Sequence, residues 1–388
     1  MKKYVKIIIL IMISLSLTSC WDARELNKLA IVMGIGIDKI DNLSNVQTTI
    51  QIAKVLGIKS PAENAEGVGQ NNKFLNLKGE GITIFDAIKS INRELNRTLF
   101  FPHNQVIIFG KSAAEEGIDK YIDFFMRNRE TRLSEWIIVS DGTAAEILKS
   151  NPNIESTTGR NIGELIENQK NISEVPNVDL KEFSQKLMSK TTAPVAPIIK
   201  VGKDEKRNTL YLTSTAVFNK EKMIGVLNKT ETRGFLWGTG NMNGEVSIIN
   251  MPDGNGKVSI EIRNVKSKII PAVKSDGVYI TMKIDERGDI SENTSSEDES
   301  NPEIIKKFER IQEDVIKKEV ISTLEKARQI NADVFGFGDI IYMYHPKEWN
   351  KMQTNWQENF KNIKVNVNVK ASIERSGKII KSIKSKDI

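Results

Sequence analysis

From Ile363 to Ile373 every second residue is apolar: Ile363, Val365, Val367, Val369, Ala371 and Ile373, separated by Lys364, Asn366, Asn368, Lys370 and Ser372. Successive side chains of a strand point to opposite faces, so this pattern demands a sheet with one buried and one solvated side. Such sheets are most often antiparallel. Two helical patterns precede it. Pro302 opens a long one reaching about Ile330, in the position proline tolerates best, and Trp349 to Phe360 gives a shorter one after Pro346. On the long pattern Ile304, Phe308, Ile311 and Val315 share one face, whereas Ile316, Val320, Leu324 and Ala327 share another. The two stripes lie roughly 140° apart at 100° per residue, so the helix either buries two surfaces or bends.

Between residues 201 and 300 strands are expected over 209–218 and 222–227, joined at Asn219-Lys220-Glu221, and over 245–250, 257–262 and 277–284. Phe235, Leu236 and Trp237 sit between glycines among these strands, and 291–303 reads as an acidic surface loop. The N-terminal half alternates strands with helices. Strands over 30–38 and 45–53 form a hairpin about Asp41-Asn42, followed by a polar loop over 60–73. A helix over 81–97 opens on Thr83-x-x-Asp86 with Phe85, Ile88, Ile91 and Leu95 at helical spacing. Then come a strand over 104–109, a single helix over 112–129 (stripe Ala114, Ile118, Tyr121, Ile122, Phe125) and a strand over 134–139. Short helices over 143–149, 163–169 and 180–188 end at the proline-bearing stretch 192–197.

The fold class expected is α+β: a mixed, multi-domain chain with an N-terminal α/β region and a C-terminal antiparallel sheet packed with long helices. The expected divisions are a signal peptide over 1–19, a domain over 20–200 with room for two subdomains, and a domain over 201–388 containing the helix 302–330.

The chain has 388 residues, Lys+Arg 56 against Asp+Glu 50, two histidines and one cysteine. One cysteine closes no intramolecular disulfide and builds no cysteine-rich metal site. His103 and His345 lie far apart, each beside a proline, and read as structural or surface groups. No phosphate-binding glycine loop, dinucleotide fingerprint or nucleophile elbow is present. Gly34-Ile35-Gly36 and Gly336-Phe337-Gly338 read as places of close backbone packing. Glu115/Glu116 and Asp298/Glu299 fall in solvated stretches, and Trp349 and Trp356 share a helix face, most simply as core. The basic tail with Lys378, Lys381, Lys384 and Lys386 is a solvated end or meets anionic headgroups. The expectation is a non-enzymatic protein with no cofactor, no metal and no nucleic-acid partner.

Lys2, Lys3 and Lys6 precede an apolar run over 7–17, too short to span a bilayer but suited to a signal peptide. The run ends in Leu17-Thr18-Ser19-Cys20, which resembles a bacterial lipobox; Cys20 is then the lipidation site and the mature N-terminus. Each buried acyl CH₂ contributes about 0.8 kcal/mol, so two or three chains anchor firmly. Removing 1–19 takes away three of the lysines behind the formal charge of +6.

Four ordered blocks carry a wider resemblance: Cys20-Trp21-Asp22 with Arg24-Glu25-Leu26 and Ile35-Gly36-Ile37-Asp38; His103 to Gly110 with Asp123 to Arg127 and Arg132; Ala216-Val217-Phe218, Lys222, Gly225 and Glu231-Thr232-Arg233-Gly234; and Ala332 to Gly338 with Pro346, Trp349 and Trp356. The chain resembles the Ger(x)C family, the lipoprotein C subunits of spore germinant receptors. Lys111 stands where that family often has Glu. The resemblance implies a lipid-anchored subunit on the outer face of the inner spore membrane, partnered by A-type and B-type receptor subunits. It also implies that a small nutrient germinant is sensed by the complex rather than by this subunit. The alternative is a lipid-anchored solute-binding protein of a transporter, which favours two α/β lobes around a cleft.

Overall fold

A computed structural model describes residues 3–7, 25–40, 45–54, 73–152, 154–204, 207–252, 254 and 256–375. Cys20, the turn at 41–42, positions 60–72 of the expected loop and the basic tail lie outside these residues.

The described strands are β1 (Leu29–Lys39), β2 (Val46–Ala53), β3 (Phe74–Gly81), β4 (Thr98–Phe100), β5 (Val106–Phe109), β6 (Trp136–Ser140), β7 (Val195–Asp204), β8 (Arg207–Asn219), β9 (Lys222–Leu227), β10 (Val246–Asn250), β11 (Lys257–Lys274), β12 (Gly277–Asn293) and β13 (Lys364–Arg375). The first nine make one sheet in the order β3-β2-β1-β5-β6-β7-β8-β9, with β4 on the early part of β1. Its centre, β1-β5-β6-β7, is parallel, and antiparallel pairs flank it on both sides. Parallel strands need both faces covered, which explains the unbroken apolar runs of β5 and β6. Ile107, Phe109, Ile137 and Val139 join one core, whereas Val106, Ile108 and Ile138 join another under the helices Ala144–Lys149 and Thr158–Glu167. Residue 200 falls inside β7, and the first sheet continues to Leu227.

The second sheet runs β10-β11-β12-β13. Its first three strands are antiparallel, as expected, but β13 pairs with β12 in parallel, from Tyr279↔Lys364 onward. The reason is the connection. A helical crossover, not a hairpin, joins β12 to β13, and crossovers return the chain in the same direction. The period-two reading survives, because Lys364, Asn366, Asn368 and Lys370 remain exposed while Val367 and Ala371 are buried.

The helix Pro302–Gln329 does bury two surfaces. Its Glu309 and Glu313 accept the backbone N–H groups of Ile373 and Ala371 at 2.9 and 3.2 Å, closing part of the free edge of β13. Its later half packs on the helix Lys229–Thr239, where a Cβ on Gly234 would stand 2.1 Å from the Glu319 carbonyl oxygen. That helix occupies the glycine-bearing stretch around Phe235, which the sequence places among strands without assigning it an element. Asn228 and Glu231 form a reciprocal capping box, and the glycines permit helix–helix contact too close for a side chain.

Three further expectations change. The single helix over 112–129 is two, Lys111–Glu116 and Asp119–Arg127, broken where Gly117 takes φ 138° and the Ile118 N–H bonds the Glu221 carbonyl. The helix from Trp349 begins earlier, at Pro346, and is interrupted by a 3-10 turn over Gln353–Asn355. Phe85 is exposed; the buried stripe of Ile84–Glu94 is Ile84, Ala87, Ile88 and Ile91.

Candidate functional site

β1, β2 and β3 place polar residues in three cross-strand rows on one face: Asp38-Gln47-Glu80, Gly36-Thr49-Lys78 and Gly34-Gln51-Asn76. The two glycines let the helix Ala144–Lys149 lie directly on β1. A Cβ on Gly36 would come within 2.9 Å of the Ala144 Cβ, and one on Gly34 within 2.9 Å of Leu148 Cδ2. The polar rows grip this helix at both ends. Ala144 and Ala145 donate their N–H groups to Asp38 at 2.7 and 3.0 Å, while Gln51 Nε2 and Asn76 Nδ2 donate to the Leu148 carbonyl at 2.9 and 2.8 Å. Orphan groups of both helix termini are thereby satisfied. Gln51 Oε1 also accepts the Gly159 N–H at 2.7 Å. Gly110 is required beside Asp38, since a Cβ there would meet its Oδ1 at 2.1 Å. Burial raises the Asp38 pKa above its ordinary value, against the pull of the two backbone N–H groups.

Beyond the helix this face opens into a cleft of about 460 Å³, lined among others by Gln47, Thr49, Lys78, Glu146 and Lys149. Thr49 is 1% exposed, and its hydroxyl has no hydrogen-bond partner among the described residues.

A second cluster joins the two sheets. Asp333, wholly buried, accepts the N–H groups of Phe337 and Gly338 at 2.9 and 2.8 Å and so starts the helix Phe337–Tyr344. Asp339 accepts the hydroxyls of Ser189, Thr191 and Thr192 at 2.6, 2.9 and 2.6 Å. Burial pushes Asp333 up to about 7 despite its donors. Nearby, Arg233 donates to Glu319 at 2.9 Å and Glu245 at 2.6 Å, and Trp237 Nε1 donates to the other Glu319 oxygen at 2.6 Å.

The residues singled out in the sequence are not brought into one reactive constellation. His103 is exposed with its ring 5.8 Å from that of Phe100, and His345 is half-buried at the end of Phe337–Tyr344. Glu115 and Glu116 are exposed; Glu299 is buried instead, accepting from Asn293 at 2.7 Å. Trp349 and Trp356 pack with ring centroids 5.1 Å apart, Trp349 being part of the core. No group of three or more metal-ligating side chains occurs among the described residues, and no helix there is long and apolar enough to cross a membrane. Sequence reasoning missed Glu135 and Glu286, because charged residues in ordinary strand context give no sign of burial. Glu135 accepts from Asn104 at 2.6 Å, and burial still raises it to about 7; Glu286 is buried with both oxygens unpartnered among the described residues.

Residues 22–201 match the family model described as spore germination protein N-terminal domain, and residues 213–377 match spore germination B3/GerAC like, C-terminal. Among relatives in Bacillus subtilis (strain 168), spore germination protein KC is 27% identical, covering 97% of this chain and 96% of its own. Spore germination protein B3 is 23% identical, covering 93% and 94%. The crystal structure of the GerBC protein superposes with a TM-score of 0.57 at 19% identity, covering 91% of this chain and all of that one. The mixed helix-and-sheet fold is therefore shared along the length of the chain. The two models together span both sheets, and on that ground the chain belongs to the Ger(x)C family of spore germination proteins.

Proposed function

We propose that the protein is a lipid-anchored, non-enzymatic subunit of a nutrient germinant receptor, held on the outer face of the inner spore membrane and partnered by A-type and B-type subunits. The observation that carries this reading is family membership over both halves of the chain, joined to a lipobox-like sequence ending at Cys20. The described fold begins at Glu25. Five residues of chain span at most roughly 18 Å, so an acylated Cys20 holds the start of the fold close to the bilayer.

The non-enzymatic part is supported by what the block residues do. Asp38 caps a helix, Arg233 ties three segments together, and Asp333 and Gly336-Phe337-Gly338 build the junction between sheets. Of these, the Asp333 junction, with Asp339 accepting from Ser189 and Thr192, ties the two units together, which suits conformational coupling within an assembly. We place the division of the mature chain after the first sheet, with the helix Lys229–Thr239 leading into the second unit. The transporter alternative asks for two similar α/β lobes, whereas only the first sheet here has a parallel centre with helices on both faces.

Cys20→Ala is expected to move the protein from the membrane pellet to the soluble fraction, measured by fractionation and immunoblotting. Retention in the pellet at the unmodified level contradicts the lipid anchor.

A further inference from the structure

The polar cleft beside β2 and β3 has no part in the contacts that hold the two units together. We propose that it is a binding site for a small carboxylate bearing a neighbouring hydroxyl or amino group, delivered from the aqueous side. The proposal rests on the anchored-subunit reading only for the position of the cleft relative to the anchor.

Three features single the cleft out from an ordinary solvated sheet face. Thr49 is buried in the middle row with an unpartnered hydroxyl, although its neighbours Gln51 and Asn76 are fully used in gripping a helix. Buried hydroxyls are nearly always paired, so this one is suited to a partner that comes and goes. Lys78 stands beside Thr49 in the same row, within electrostatic reach of the Asp38 carboxylate, and neither it nor Lys149 is in a direct ion pair among the described residues. Asn76 holds the Leu148 carbonyl at 2.8 Å, which brings Lys149 to the strand that carries Lys78. Finally, the cleft's volume of about 460 Å³ falls within the range of small-molecule sites.

The charges define the ligand. Both oxygens of Asp38 are occupied by backbone N–H groups, and Lys39 is paired with Glu116 at 2.8 Å. The lining then offers two ammonium groups, Lys78 partly offset by the Asp38 carboxylate, to receive a carboxylate, with the Glu146 carboxylate on the rim. Glu146 opposes a second negative charge and accepts from an amino or hydroxyl group, while the Thr49 hydroxyl bonds the same end of the solute. Position follows from β1. Leu29, near the anchor, and Asp38, in the cleft, are nine residues apart on one strand, about 30 Å at 3.3 Å per residue. The cleft therefore lies at the end of β1 away from the anchored residues.

The test is calorimetric titration of the full chain in detergent micelles with lactate, L-serine and inorganic phosphate, each at matched ionic strength. Saturable binding of lactate or serine is expected, weakened at least tenfold in Lys78→Ala/Lys149→Ala and severalfold in Thr49→Val. Both lysines are exposed, so their replacement leaves folding intact. The proposal is overturned if neither carboxylate binds saturably, if phosphate binds more tightly than both, or if the double variant binds as the unmodified chain does. The assay does not depend on Cys20, so its failure leaves the anchored-subunit reading standing, and retention of Cys20→Ala in membranes leaves this result untouched.

Discussion

Arg233→Ala is expected to destabilise the protein by about 3–5 kcal/mol, the scale for removing one partner of a buried ion pair. The Arg233 side chain is 10% exposed, and those of its partners Glu245 and Glu319 are 15% and 14% exposed. Truncation strands two carboxylates in a poorly hydrated site. Burial already raises the Glu245 pKa even with Arg233 beside it, so the uncompensated state is costly from the outset. Trp237 would remain as a single donor to Glu319. Arg233→Lys should recover only part of the loss, because one ammonium group cannot bridge both acids as the planar guanidinium does. Urea unfolding followed by tryptophan fluorescence reads the effect. A loss below about 1 kcal/mol for Arg233→Ala would show that the network contributes little to joining the helices.

Glu286 sets the second large effect, a fall in stability as pH rises. It lies on β12 beneath the helix Pro302–Gln329, 1% exposed, with no hydrogen-bond donor to either oxygen among the described residues. Burial, with a further push from the nearby Glu309 carboxylate, raises its pKa to about 8. In the unfolded chain the same group titrates near 4.5. Below that both states hold the proton and the group is neutral to stability. Between 4.5 and 8 only the folded state holds it, so each pH unit costs about 1.4 kcal/mol of stability, and the penalty is complete above 8. The whole window amounts to something on the order of 5 kcal/mol. Glu135 and Asp333, each raised to about 7 by burial, add in the same direction. The urea midpoint should therefore drop between pH 5 and pH 8, and Glu286→Gln should remove much of the drop and raise stability at pH 8. An unchanged pH slope in Glu286→Gln would contradict the buried, protonated carboxyl.

Much of this architecture was legible in the sequence where a local rule decides it. The cap at Thr83, the proline at the start of Pro302–Gln329 and the alternation through β13 each rest on a few neighbouring residues. What was not legible depends on contacts between distant segments. The parallel direction of β13 is set by a crossover of some seventy residues, not by its own pattern. The helix Lys229–Thr239 was hidden because its glycines, poor helix formers alone, are chosen for the approach of Pro302–Gln329. The cleft was invisible for a similar reason. Asp38, Thr49, Lys78 and Lys149 are spread over more than a hundred residues, and only the β1-β2-β3 register with one short helix assembles them. The glycine pair Gly34 and Gly36, by contrast, was read as close packing, and that is its role against the helix Ala144–Lys149.

The central claim is membership of a membrane-held receptor assembly. Affinity purification of the tagged full chain from detergent-solubilised spore membranes, with mass spectrometry of what co-purifies, tests it most directly. The expected result is an acylated Cys20 peptide together with an A-type and a B-type receptor subunit, enriched over an untagged control. Recovery of the chain alone, from the soluble fraction and with an unmodified Cys20, would contradict it.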